Sequence, residues 1–461
     1  MKHMSMLRTK SSLSMEFRTR RADLLSHSSA DSRFRAIPFR WRRGLYAGVS
    51  ASTPTPSTSA CPRLRYACAG ARFGEEPCFA DENWNIFRAR ASQSPLFLTA
   101  SRGFVSSVEK RRKSKMSSVR DCVSAMMVAD AASMGLHWIY DGEKLDEVKG
   151  DGPAEFHEPP SCPFYSSEEY PGHYKSGSPS PYAEEALALM SYMQSENGDF
   201  KDANGFAESL YAWAKDYSGR KNHCTKGFEE QMDKLTKEGA TSFYPGCGAD
   251  DAQANAFWKV PLLVCRYRND EAALLDNVEK AVRVHQNHDL AVEYAQAFAK
   301  MLFAAAVNGA TLEEAIDAGA EAGKNAKEGI EKAKSMRAKS AEETSVKASR
   351  EKIGEYSESM WSEGKPDYMK KIGGLSCAFP GSFVVSLMLA LDADITATTD
   401  EERFKDNIRR NILLGGDCCG RIPILSTLLA ATGSTAPDDW TKKTSVADEV
   451  DAATETMTSA L

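Results

Sequence analysis

The run Gly415-Gly416-Asp417-Cys418-Cys419-Gly420 sets a carboxylate and two thiols beside a glycine pair, between two apolar helical patterns. Glycine accepts the left-handed or close-approach backbone that other residues avoid, so Gly415 and Gly416 can present Asp417 at a tight interhelical corner. Such a corner can receive an ion or an anionic ligand; equally, Asp417 can cap the helix that follows. A second group is Asp250-Asp251, followed by Gln253 and Asn255. Adjacent carboxylates can serve a hard cation, which prefers several oxygen ligands, or can cap the next helix, and the two amides can orient a sugar hydroxyl. A third is Glu184-Glu185, just inside a helix start, where the acids complement the helix dipole or reach toward an ion. Cys418 and Cys419 lie near a helix N-terminus, a setting that lowers thiol pKa, but no partner base is evident beside them.

These groups need helices to place them, and the chain supplies the pattern. Phe404, Ile408, Asn411 and Ile412 recur on one face before the glycine pair, and Ile424, Leu425, Leu428 and Leu429 after it. Val123, Met126, Met127, Ala131 and Met134 form the stripe of a first helix ending at Gly135, with Asp130 on that apolar helix as a buried anchor or a site residue. Residues 141–179, carrying Pro153, Pro159, Pro160, Pro163 and Pro171, exclude a long helix. Then Ser180 as N-cap, Pro181 at the first helical position and Glu184 in the first turn open the next one. Thr311-Leu312-Glu313-Glu314 reads as a capping box. His285 or His288 falls at a helix junction. Residues 323–366 are rich in Lys, Glu, Ser and Ala and read as a solvated helical or mobile insertion; the tail after Gly433 shows no core pattern.

Net charge is −6, but residues 1–115 carry 22 Lys/Arg against 8 Asp/Glu, leaving 36 against 56 for the rest. The basic, Arg- and Ser-rich leader is expected to be disordered. It has the composition of a transit peptide, which would send the protein to a plastid or mitochondrion; with translation starting at Met116 the product would be cytoplasmic. The eleven cysteines follow no metal or disulfide spacing and read as reduced thiols. The patterns give no nucleic-acid motif, no dinucleotide or phosphate loop and no run of eighteen apolar residues, so neither nucleic acid nor membrane is expected as a partner.

With these residues in view, the chain resembles the ADP-ribosylglycohydrolase family, most closely the branch related to J1 crystallins, where Leu136-His137-Trp138-Ile139-Tyr140 follows the first helix. Four patches match in order: this opening helix, the helix start at Ser180, the central Gly-rich turn leading to Pro261-Leu262, and the Gly-Gly-Asp corner. The resemblance implies an all-α fold, a single multi-helix domain over 118–433 between a disordered 1–115 leader and a disordered 434–461 tail. It implies magnesium as cofactor and an ADP-ribose-type small molecule or ADP-ribosylated protein as partner.

In the family's enzymes the helix start reads Thr-Asp-Asp-Thr and the corner continues with a second Asp and a Thr. Here Ser180, Pro181, Tyr182 and Ala183 stand in the first place, and Cys419 and Gly420 in the second. The resemblance therefore implies Asp417, Asp250, Asp251 and Glu184 as metal ligands, Asp417 and Asp251 as catalytic residues, and Ser180, Tyr182, Gln253, Asn255, Gly415 and Gly416 around the ligand. With so few carboxylates kept, the expectation is a degenerate metal site, with ligand-binding or crystallin-like structural duty; the alternative is an active metal-dependent hydrolase of ADP-ribosyl bonds.

Overall fold

The computed structural model describes residues 119–159, 165, 169–360, 372–396 and 399–459. The basic leader and Met116 lie outside them. Among the described residues every regular element is a helix, joined by three isolated bridges, Ile139 to Gly416, Ala249 to Gln286 and Gln253 to Ala378.

Helix α1 (119–133) is buried along almost its whole length and tightens into a 3-10 turn, Met134–Leu136. A short α2, Gly142–Lys149, interrupts the segment expected as loop; Asp141 caps it by accepting from the Glu143 and Lys144 amides, and it stops before Pro153. Helix α3, Pro181–Ser195, starts as its sequence predicts, with Ser180 accepting from the Ala183 amide. Helices α4 (Ala203–Asp216) and α5 (His223–Lys237) are capped by Asp202 and Asn222. A 3-10 turn, Ala254–Lys259, leads into α6, Val260–Tyr267, then α7 (Glu271–His285) and α8 (Asp289–Leu302).

Helix α8 continues as a π-turn to Val307 and is the one described helix long and apolar enough to cross a membrane; most of it is buried among its neighbours. Helix α9, Leu312–Ala318, carries the expected capping box between Thr311 and Glu314. Thr311→Ala is expected to cost about 1 kcal/mol, read as a lower denaturation midpoint; an unchanged midpoint would show that the cap contributes nothing.

The Lys/Glu-rich segment departs from its expected solvation. Helix α10, Lys324–Met336, buries Ala326, Gly329, Ile330, Ala333 and Met336, and α11, Val346–Met360, buries Ser349, Ile353 and Tyr356. Their buried stripes are built largely from Ala, Gly and Ser, which pack closely but carry little hydropathy contrast. Gly329 shows why: a Cβ there would sit 3.0 Å from the Phe383 ring. Helices α12 (Gly381–Leu391), α13 (Asp400–Leu414) and α14 (Cys418–Ala431) complete the centre, with α12 and α13 packed on α14.

The segment after Gly433, expected as a disordered tail, also folds where it is described. It forms α15, Asp438–Thr441, and α16, Ala447–Ser459, the latter packed on α3 and α6. Trp440 is buried edge-on against Phe156 and Phe404, and Val450, Ala453 and Met457 are buried along α16. One Trp and a spaced Val-Ala-Met stripe carry this burial, too sparse a signal for periodicity to register.

Two features place the Gly-Gly corner. The Trp138 amide donates to the Gly416 carbonyl at 2.8 Å and the Gly416 amide to the Ile139 carbonyl at 2.8 Å, so the exit of α1 is stitched to the turn before α14. Gly415 and Gly416 have φ of 81° and 64°, and a Cβ on them would lie 2.6 Å from the Ile139 carbonyl oxygen and 2.5 Å from that of Leu375. Only glycine satisfies both the backbone and the space.

Candidate functional site

Asp417 occupies the N-cap position of α14 and is fully buried, yet its side chain makes no capping hydrogen bond. Its Oδ1 instead accepts from three ring donors: His137 Nε2 at 2.8 Å, Trp138 Nε1 at 2.8 Å and the Tyr182 hydroxyl at 3.2 Å. The capping role open in the sequence is not taken; the segment after α1 and the first turn of α3 bring ring donors to that oxygen. Facing a carboxylate, His137 carries its proton on Nε2, which leaves Nδ1 to accept from the Tyr165 hydroxyl at 2.6 Å. Burial pulls the His137 pKa below its ordinary value, outweighing Asp417. Asp417 Oδ2 makes no hydrogen bond and lies against Gly420, where a Cβ would be 1.8 Å away.

Below the corner, Arg421 is buried inside α14. Its guanidinium donates to Asn411 Oδ1 at 2.7 Å, the Gly415 carbonyl at 2.7 Å and the Leu375 carbonyl at 3.2 Å. The Asp417 amide shares the Leu375 carbonyl at 2.8 Å, so one cation ties the 375 turn to the corner.

At the start of α3, Ser180 donates its amide to Asp130 Oδ2 at 2.7 Å. Asp130 thus takes the anchor role, and burial lifts its pKa to about 7. Glu184 accepts from His173 Nε2 at 2.7 Å and from the Tyr217 hydroxyl. Glu185 turns the other way, into the core, where Asn222 and Asn255 donate to it at 2.7 Å each and Thr225 also donates. Buried Lys259 lies beside it, 3.0 Å from the Asn255 carbonyl and 3.1 Å from His285 Nδ1. Burial pushes the Glu185 carboxyl up and the Lys259 ammonium down, and both burial and Lys259 hold His285 well below its usual pKa. His285 therefore belongs to a buried polar knot, while His288 caps α8 through its side chain.

In the central turn, Asp250 is exposed, and Asp251 Oδ2 accepts from His223 Nδ1 at 2.8 Å and from the Gln253 amide. The helix cap expected of this pair is not formed; Gln253 holds the cap position without a side-chain bond. Asn255 spends its amide on Glu185. The proposed set Asp417, Asp250, Asp251 and Glu184 is thus divided among separate partners, and among the described residues no three of His, Cys, Asp and Glu converge to hold a metal ion.

Cys418 and Cys419 are buried with free thiols. Burial, with Cys418, Asp130 and Asp417 beside it, pushes the Cys419 thiol well above its usual pKa, reversing the activation that a helix N-terminus would give.

Sequence reasoning reached Tyr182, Asp417 and the glycine pair, and the structure joins these in one corner. It missed His137, Trp138 and Arg421 as partners. The first two lay in the Leu-His-Trp-Ile-Tyr run, whose signal was an unusual density of ring donors immediately after a helix. Around the corner, half-buried Trp138 stacks on His137 at 4.1 Å and carries the Arg220 guanidinium 5.1 Å from its ring centre. Tyr182 stacks on buried Trp258.

A family model described as ADP-ribosylglycohydrolase matches residues 111–460. Crystallin J1A of Tripedalia cystophora is 27% identical over 191 residues, 38% of this chain; the match spans 54% of that protein, about half its length. A solved structure described as an ADP-ribosylglycohydrolase-related protein complex aligns with a TM-score of 0.46 at 17% identity, over 75% of this chain and 99% of the other.

Proposed function

Because this chain belongs to the ADP-ribosylglycohydrolase family, we propose that it retains the helical scaffold and cleft with a degenerate metal site, weak or inactive as a hydrolase. Its duty is then to bind ADP-ribose-type ligands or to serve structurally, as the similarity to crystallin J1A suggests. The observation that carries this is the occupation of Asp417 Oδ1. Three N–H and O–H donors aim at that oxygen, so an ion there would face their hydrogens, and the other oxygen, Oδ2, is buried against Gly420 with no second carboxylate beside it among the described residues. A hard divalent cation needs several oxygen ligands. Pro181 and Ala183 offer no side-chain oxygen, the Tyr182 hydroxyl is committed to Asp417, and Glu184 and Asp251 are held by His173 and His223. The residues present do not fit a magnesium pair.

The expected result of a calorimetric titration is no saturable magnesium binding, with the same ADP-ribose affinity in magnesium as in chelator. Little or no ADP-ribose should be released from ADP-ribosyl-arginine or ADP-ribosyl-serine. Binding of ADP-ribose would favour the ligand role; its absence would favour the structural one. Fast magnesium-dependent release, lost in Asp417→Asn, would overturn the reading and restore a metal-dependent hydrolase.

A further inference from the structure

A group of side chains that shares Glu184 with the set considered above, and rests on that reading in so far as Glu184 holds His173 and not an ion, lies where the segment before α3 meets the loop after α4. His173 Nε2 is 2.7 Å from Glu184 Oε1, and its other ring nitrogen, Nδ1, is 3.4 Å from the Ser218 hydroxyl. Ser218 is exposed, His173 is half-buried and Glu184 more buried still, so the three run inward from solvent in the order hydroxyl, imidazole, carboxylate. A carboxylate accepts, so Nε2 holds the ring proton and Nδ1 is left bare toward the hydroxyl. This is the arrangement in which a base oriented by an acid can activate a hydroxyl nucleophile.

The frame around the three is built. Tyr217 donates to the second Glu184 oxygen, the Tyr174 and Tyr217 hydroxyls are 3.1 Å apart, and the Arg220 amide donates to Tyr174 at 2.8 Å. Tyr174 and Tyr217 meet the His173 ring edge-on at 4.5 and 5.7 Å. The loop backbone closes down behind the serine: a Cβ on Gly219 would lie 2.4 Å from the Tyr217 hydroxyl and 2.6 Å from His173 Nε2.

We propose that Ser218, His173 and Glu184 form a metal-free acyl-transfer site that hydrolyses small carboxylic esters. Ser218 Oγ attacks the ester carbonyl carbon as its proton passes to His173 Nδ1, and the carbonyl π electrons move to oxygen. Collapse breaks the bond to the alcohol, which leaves with the proton from Nδ1, and an acyl-serine remains. Water then gives a proton to Nδ1 and its oxygen to the acyl carbon; collapse returns the proton to Ser218 and releases the acid. His173 and Ser218 are the catalytic residues, and Glu184 is a positioning residue that stabilises the imidazolium.

The test uses the full chain with p-nitrophenyl acetate and a fluorophosphonate probe, the adduct being located by mass spectrometry. The expected result is a single adduct on Ser218 and hydrolysis lost in Ser218→Ala, a change at an exposed position that leaves the fold intact. His173→Asn is expected to slow both labelling and hydrolysis about a hundredfold. Glu184→Gln should lower kcat with KM unchanged, because Glu184 holds the imidazole and touches no substrate. Hydrolysis as fast in Ser218→Ala as in wild type would overturn the proposal. So would labelling of Ser218 that is unchanged in His173→Asn, or a kcat unmoved in Glu184→Gln.

Discussion

Arg421→Ala is expected to destabilise the domain by about 3–5 kcal/mol, the cost of emptying a large buried site and taking a donor away from several core oxygens. The guanidinium is fully buried and burial pulls its pKa below the ordinary value, so it stays only because its surroundings compensate it. Those surroundings are the carbonyls of Gly415, Leu375 and Asn411 and the Asn411 amide oxygen. Removing the side chain takes a donor from each of them, and a core oxygen left unmatched costs about 1–3 kcal/mol; the Leu375 carbonyl keeps a second donor, the Asp417 amide. Arg421→Met separates this from simple loss of volume: it fills much of the space and donates nothing. Both variants should unfold at clearly lower denaturant; an Arg421→Met midpoint equal to wild type would show that the clamp is packing alone. Because Asp417 hangs from the same Leu375 carbonyl, both variants should also disorder the corner, read as loss of the Trp138 fluorescence environment.

What the sequence disclosed and what it hid divide along the range of the interactions. Ser180-Pro181 and the Thr311 box are local, a side chain capping an amide three residues on, and so are readable from spacing. The glycine pair was readable for the same reason, since a turn between two striped helices needs left-handed backbone. The fate of Asp417 was not. A cap, an ion and a cluster of ring donors are equally consistent with the corner's own residues, and the choice is made by His137 and Trp138, some 280 positions earlier.

The two adjacent glutamates make the same point in one helical turn. Glu184 and Glu185 are the same residue type one position apart, but successive helical residues point about 100° apart. One meets His173 and Tyr217 at the surface, while the other enters a buried nest of Asn222, Thr225 and Asn255 gathered from two later segments. Burial in α10 and α11 was hidden differently. Ala326, Gly329, Ala333 and Ser349 bury little area each and stand among Lys and Glu, so close packing leaves almost no trace in hydropathy.

Asp130→Asn is expected to stabilise the protein at neutral to alkaline pH and to lose that advantage in acid. The carboxyl lies fully buried in α1, with one oxygen accepting the Ser180 amide and the other without a hydrogen bond, and burial lifts its pKa from 3.8 to about 7. The folded state therefore holds the proton more tightly than the unfolded chain. The stability linked to that proton is present in full below the unfolded value of 3.8, and is lost as pH rises through the folded value of about 7. Above it the core carries a buried carboxylate, and a shift of roughly three units corresponds to about 4 kcal/mol. Asparagine has the same shape, keeps an oxygen for the Ser180 amide and never ionises. Comparing denaturation midpoints of the two proteins cancels every titration they share, so the difference isolates this one carboxyl. The gap should be widest near pH 8 and should shrink through the range from about 7 down to about 4. A gap independent of pH would show that Asp130 is not the buried acid, and a variant less stable than wild type at pH 8, about one unit above the folded pKa, would show that the Ser180 anchor needs the charge.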